Sequence, residues 1–189
     1  MSVRRASAAA AGSMAVALIA ACAMAPALAA EVGGVELAER MRVSGYVLEL
    51  ASCGVRDTLW IDHYAVGLYL PKGASPGAAS DPDRAKAVRM KIISARYLPE
   101  NIPGKWREAL ASELQREPMM RVRRSYRKLE DGDVVTFFYL PSSGVTMNVN
   151  GDTVIAGRDH AVIDSILSAW AERDPIGEKL HRLELKHPC

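Results

Sequence analysis

Residues 53–71 read CGVRDTLWIDHYAVGLYLP. From Thr58 to Leu70 the run is rich in Val, Ile, Leu, Tyr and Trp, the composition of a buried strand. A short interruption around Asp62 predicts a tight hairpin or a bend. Arg56 stands at the mouth of the run, and its guanidinium cannot shed its charge. On a continuous strand, side chains alternate between faces, so Arg56, Thr58, Trp60, Asp62, Tyr64, Val66 and Leu68 would share one face. That face joins a cation, a hydroxyl, an indole and a phenol to aliphatic surface. Desolvating an arginine is costly unless it gains a partner. Either an internal acid, Glu49 or Asp62, pairs with Arg56, or a ligand does, and a carboxylate or enolate oxygen suits its fork of donors.

Outward from this stretch the pattern continues as strand. Val43 to Ala51 alternates apolar and polar residues, and Gly54 punctuates before Val55 to Ile61 and His63 to Leu70. Pro71 to Pro82 is loop, carrying Gly73, Pro76 and Gly77. Val88 to Ala95 alternates again. From Pro103 the period switches: Trp106, Ala109, Leu110, Glu113 and Leu114 recur at helical spacing, and Pro118 is expected to end that helix. Met119 to Tyr126 reads as alternation, and the basic stretch Arg121 to Lys128 as a solvated edge strand with Arg121, Arg123 and Ser125 on one face.

Asp131-Gly132-Asp133 is a turn before the strand Val134 to Leu140, and Pro141 to Gly144 leads into Val145 to Val149. Asn150-Gly151 is the strongest hairpin signal in the chain and introduces Thr153 to Ala156. A second helix follows, with Asp159 as cap and Val162, Ile163, Ile166, Leu167 and Trp170 on one face. A short third helix is expected after Pro175, carrying Leu180 and Leu183. Strands in a run, with helices grouped rather than interleaved, predict an α+β fold: a large antiparallel sheet with a layer of helices on one face.

The N-terminus is of a different kind. Arg4 and Arg5 precede an apolar, alanine-rich stretch from Met14 to Ala25, then Ala27-Leu28-Ala29, without one acidic residue. This is the pattern of a secretory signal peptide over 1–29, leaving one domain over 30–189 and a periplasmic location. The apolar run falls short of the roughly 20 residues that span a bilayer. Within it, Ile19-Ala20-Ala21-Cys22 is similar to a lipobox, so acylation of Cys22, with membrane attachment through it, is the alternative to cleavage after Ala29. Removing Arg4 and Arg5 from 24 basic residues leaves 22 against 22 acidic ones. A neutral mature chain gives no global electrostatic reason for a nucleic acid or anionic membrane partner. Cys53 and Cys189 then remain, and an even count in an exported chain invites a disulfide, against which stands the fraying of a terminal residue.

Phosphate-binding glycine loops, Cys-x-x-Cys pairs, His-x-x-x-His and Gly-x-Ser-x-Gly are all missing. His63, His160, His181 and His187 sit on separate elements without metal-ligand spacing, so no metal site is expected. His63, in the apolar strand, is the one candidate for an axial haem ligand, weighed against a hydrogen-bonded core histidine. Met90 and Met147 read as packing.

Gly54-Val55-Arg56, followed by Tyr64-Ala-Val-Gly-Leu-Tyr-Leu70, resembles the Gly-x-Arg and aromatic-Ala-x-Gly-x-Tyr-Leu strand of the chalcone isomerase superfamily, most of all its exported bacterial branch. The similarity extends through Val32-Gly-Gly-Val-Glu-Leu37, Gly132-Asp-Val-Val, Tyr139-Leu-Pro and Gly144-Val-Thr-Met-Asn-Val-Asn-Gly151 to the helix ending at Trp170. The resemblance implies an open-faced β-sandwich with a ligand cleft between sheet and helices. In plant chalcone isomerases the strand arginine polarises the substrate during ring closure, and in fatty-acid-binding members an arginine and a tyrosine hold a carboxylate. Arg56 matches the arginine. Tyr64 falls where the plant enzymes have a catalytic threonine, and Ala169 near a second one; Tyr97 and Asn101 stand in for the active-site Tyr and Asn by proximity. The bacterial branch has also been linked to haem, which keeps His63 in view.

Three functions follow as expectations. The first is non-catalytic binding of a small amphipathic carboxylate, fatty-acid-like, with Arg56 as anchor and Tyr64 as second donor. The second is an isomerase or intramolecular lyase acting on chalcone-type enones, with Arg56 stabilising the enolate. The third is a haem-binding or structural envelope protein in which Arg56 is a satisfied salt bridge.

Overall fold

A computed structural model describes residues 29–58, 61–156, 159–171 and Cys189. The expected signal peptide (all but Ala29), Cys22 and the expected helix after Pro175 lie outside the described residues.

Nine strands run β1 (Ala29–Val32), β2 (Val35–Ala38), β3 (Arg40–Val43), β4 (Tyr46–Thr58), β5 (Ile61–Pro71), β6 (Lys86–Ile92), β7 (Val134–Leu140), β8 (Gly144–Val149) and β9 (Asp152–Ala156). Helices α1 (Gly104–Glu113) and α2 (Arg116–Arg127) lie between β6 and β7, and α3 (His160–Ala171) follows β9. Strands β3 to β9 form one antiparallel sheet in sequence order, while β1 and β2 pair apart from it. The α+β reading and its single large sheet are therefore what the chain adopts.

The sheet's faces follow from its register. Val66 pairs with Met90, Met90 with Val135 and Val135 with Val149; the next row is Leu68, Val88, Phe137, Met147 and Ile155. Directly opposed residues share a face. Both rows pack into one core with Trp106 and Leu110 of α1, Met119, Val122 and Tyr126 of α2, and Val162, Ile163 and Ile166 of α3. Against the other face lies the β1–β2 hairpin. A Cβ on Gly67 would come within 2.8 Å of Leu50, 3.0 Å of Tyr69 and 3.3 Å of Leu37 of the hairpin, so glycine keeps the close packing of all three there.

Helix α3 is fastened to the sheet by a polar tie. Lys86, 0 % exposed, donates from Nζ to the carbonyls of Ala79 and Asp81, the latter at 2.7 Å, and to His160 Nε2 at 2.7 Å. An ammonium has no lone pair, so Nε2 accepts and the imidazole proton sits on Nδ1. Nδ1 in turn lies 2.6 Å from Asp164 Oδ2. Asp159 caps the helix by accepting the Ala161 N–H at 2.7 Å, as its position before the apolar face leads one to expect.

Several expectations need correction. Residues 119–126 are helix, not strand, and Pro118 opens α2 instead of closing α1. In the first turn a proline's missing N–H had no intrahelical partner to lose. Met119, Val122 and Tyr126 recur at helical spacing and are buried, which sends the arginines outward. The basic stretch is thus the solvent side of a helix. The second correction concerns residues 53–71: the expected hairpin forms, with Thr58 paired to Ile61, but not around Asp62, which lies inside β5 opposite Asp57. Gly54, expected to punctuate, lies inside β4, and the strand expected from Val43 to Ala51 is broken by a turn at Ser44 and Gly45, whereas the strongest turn signal is kept. Asn150 and Gly151 have φ of 52° and 92°, the left-handed pair a two-residue hairpin requires.

Candidate functional site

Arg56 and Tyr64 stand directly opposite each other on β4 and β5. Tyr64 pairs on its other side with Ile92 and packs against the helix-side core, so the pair faces the helices. Folding the stretch into a hairpin keeps Arg56 and Tyr64 on one face, because cross-strand partners project to the same side, but places Asp62, expected on that face, opposite Asp57 on the other. Arg56 is half-buried, and among the described residues no acid stands within ion-pair distance of it. Glu49, one expected partner, is engaged by Arg40 at 3.2 Å.

A third group joins them that strand periodicity concealed. Tyr126 of α2 is buried, and its phenol is pushed up to about 12, first by burial and then by the neighbouring Tyr64. It therefore stays protonated, and able to donate, throughout the ordinary pH range. Tyr126 also lines a hollow of about 340 Å³ with Ala95, Leu98, Pro99, Glu100, Arg127 and Leu129. Arg56 and Tyr64 do not line this hollow; Tyr126 is the member of the group that does. The 3.6-residue spacing of Met119, Val122 and Tyr126 is the signal that would have found it.

The remaining expected site residues are dispersed. Asn101 accepts a long hydrogen bond from Arg127 Nη2 at 3.4 Å, which ties it to a residue of the hollow. Tyr97 is exposed, with the Arg96 guanidinium over its ring at 4.6 Å and the His63 ring 6.1 Å away. His63 is buried next to Tyr64 in β5, at the register shift between the Arg56–Tyr64 and Asp57–Asp62 pairs, and does not line this hollow. Ala169 belongs to α3, with its side chain outside what is described. No group of three or more His, Cys, Asp or Glu side chains able to hold a metal occurs among the described residues. Cys53 and Cys189 are joined by a disulfide, with Cα atoms 5.7 Å apart, tying the last residue to β4.

A guanidinium and two phenols are all hydrogen-bond donors. Set at the edge of a core of Val, Ile, Leu and Phe side chains, they can offer an anion a polar end.

Residues 29–184 match the family described as chalcone isomerase-like. The chain belongs to the chalcone isomerase-like family. Among solved structures it is similar to an Arabidopsis thaliana fatty-acid binding protein, with a TM-score of 0.45 and 16% identity over 75% of this chain and 87% of that one. No curated protein matches it. The family's strand pattern falls here on the β4–β5 hairpin, and its helical layer on α1, α2 and α3.

Proposed function

We propose that this chalcone isomerase-like chain is an exported binding protein for a small amphipathic carboxylate of fatty-acid type, held by Arg56 with Tyr64 and Tyr126 as further donors. The observation that carries the reading is the setting of Arg56: half-buried on the helix side of the sheet, opposite a tyrosine, and without an acid at ion-pair distance among the described residues. A cation so placed is suited to an anionic ligand, and its planar fork matches a carboxylate in two-point contact. An aliphatic tail would extend toward the hollow that Tyr126 lines with Ala95, Leu98, Pro99 and Leu129.

Export rests on the first thirty residues, and the Cys53–Cys189 disulfide supports a compartment in which thiols oxidise. The mature protein is periplasmic, cleaved after Ala29 or carried on an acylated Cys22; its intact mass separates the two.

Native mass spectrometry of protein purified from its own host, beside Arg56→Ala, is the test. The expected result is a copurifying acid that is lost from the variant, and palmitate titration that weakens at least tenfold. A ligand retained by Arg56→Ala, or palmitate that does not bind the wild-type chain, overturns the reading. Incubation with chalcones serves the enzymatic alternative, which a rate above the uncatalysed background would favour.

A further inference from the structure

The face of the sheet turned away from the helices carries a second cluster that the Arg56 site does not use. Gly67, Arg89, Thr136 and Asn148 are successive cross-strand partners on β5, β6, β7 and β8. Val88 and Met90 face the helices, so this row faces the other way. Neighbours in such a row lie about 5 Å apart, which lines up a guanidinium, a hydroxyl and a carboxamide, while the near end at Gly67 is closed by Leu50, Tyr69 and Leu37.

Arg89, Thr136 and Asn148 of this row line a groove of about 670 Å³. Its walls come from both ends of the strand order: Met41, Arg42 and Ser44 around the β3–β4 turn, and Asn150 and Gly151 at the β8–β9 turn. Only a curled sheet brings those two ends to one hollow. Phe138 adds a flat apolar surface.

The charge balance of the groove is one-sided. Two arginines line it and no Asp or Glu does. Arg89 is half-buried, and no acid among the described residues lies within ion-pair distance of it. Asn148 Oδ1 is buried without a hydrogen-bond partner, so the amide is not committed to a protein contact through that atom. Tyr69, fully buried on the same face, also has a hydroxyl without a partner. A half-buried guanidinium normally finds a partner, and Arg89 lines the groove, from which an anionic one can come.

We infer that this groove is a second binding site, for a small organic oxyanion whose charged group meets Arg89 and Arg42 and whose apolar body lies against Phe138 and Met41. Its ligand class overlaps that proposed for Arg56, but its residues lie on the opposite face, so the two sites can fail independently.

Phenyl phosphate, inorganic phosphate and phenol, titrated separately at constant ionic strength into the ¹⁵N-labelled chain, test this. Phenyl phosphate is expected to give saturable amide shifts at Arg89, Thr136, Asn148 and Gly151, with the two fragments at least tenfold weaker. Arg89→Gln should weaken phenyl phosphate at least tenfold, and Arg56→Ala should leave it unchanged. Where Arg89→Gln fails to give a folded spectrum, Arg42→Gln at the exposed lip replaces it, with an expected loss of at least threefold. Absence of saturable shifts, equal binding of either fragment, shifts that persist in the arginine variants, or shifts abolished by Arg56→Ala would each overturn the site.

Discussion

Lys86 and His160 meet at 2.7 Å, an ammonium with no exposed surface donating to an imidazole that must be neutral to accept it. The contact joins β6 to the first residue of α3, and Asp164 holds the other ring nitrogen at 2.6 Å. His160→Leu keeps apolar volume but removes an acceptor from a buried charge, so it should destabilise the chain by about 2–3 kcal/mol. Lys86→Met in that background removes the stranded charge. The double variant should therefore be more stable than the sum of the two single losses by at least about 1 kcal/mol, read from urea denaturation of all four proteins. Strict additivity would mean that the tie contributes nothing.

Alkaline behaviour follows from two phenols. Burial pushes Tyr69 and Tyr126 up to about 12, with the Arg89 charge easing Tyr69 back and Tyr64 adding to Tyr126. Above the ordinary tyrosine value of about 10 the unfolded chain loses these protons while the folded chain keeps them. The folded state then binds more protons, so stability falls as pH rises from 10 toward 12. Lys86 works in the opposite sense, since burial lowers its value and its contribution rises toward pH 10.5. Comparing wild type with Tyr69→Phe/Tyr126→Phe at pH 9 and 11 cancels the lysine. The loss between those two pH values should be smaller in the variant, and absorbance at 295 nm should show these two phenols, and Tyr139, which burial also raises, titrating late in the folded wild type.

These buried groups mark the limit of what the chain reveals by pattern. Alternation and turn residues were legible where one effect dominated: Asn150-Gly151 demands left-handed backbone, and Val66, Leu68 and Leu70 alternate toward one core. The segment 116–127 was not, because its apolar residues are sparse and arginines occupy most positions between them, so a short window fits period two about as well as 3.6. Its misreading hid Tyr126. Lys86 was invisible for a different reason. A lysine at a strand's start is ordinarily solvated, and only the return of α3, dozens of residues later, supplies the imidazole that buries it. Arg56, by contrast, was legible because a fixed charge at the edge of an apolar run has few tolerable surroundings.

The disulfide closes a separation of 136 residues and returns the chain's last residue to the middle of β4. Loop-entropy reasoning assigns such a crosslink a stabilisation of about 2–5 kcal/mol. Reduction should lower the urea midpoint accordingly, and Cys189→Ser should match reduced wild type with no further response to reductant. A serine variant as stable as the oxidised protein would show that the terminal residue contributes no stabilisation through its link to the sheet.

The two readings of Arg56 part company most cleanly in the substitution Arg56→Met, which keeps the aliphatic stem and removes the fork. Removing an arginine from a buried ion pair strands its acid and costs about 3–5 kcal/mol. No acid lies at pairing distance from Arg56 among the described residues, so the expected loss of stability is under about 1 kcal/mol, while palmitate affinity falls at least tenfold. Tyr64→Phe, which deletes one donor from the directly opposed position, should weaken palmitate by about ten- to a hundredfold, since a hydrogen bond to a charged group contributes about 1.5–3 kcal/mol. Denaturation and titration on the same preparations decide the matter together. A large loss of stability with unchanged binding would make the guanidinium a structural element, whereas the reverse pattern is what a cation held in reserve for an anionic ligand requires.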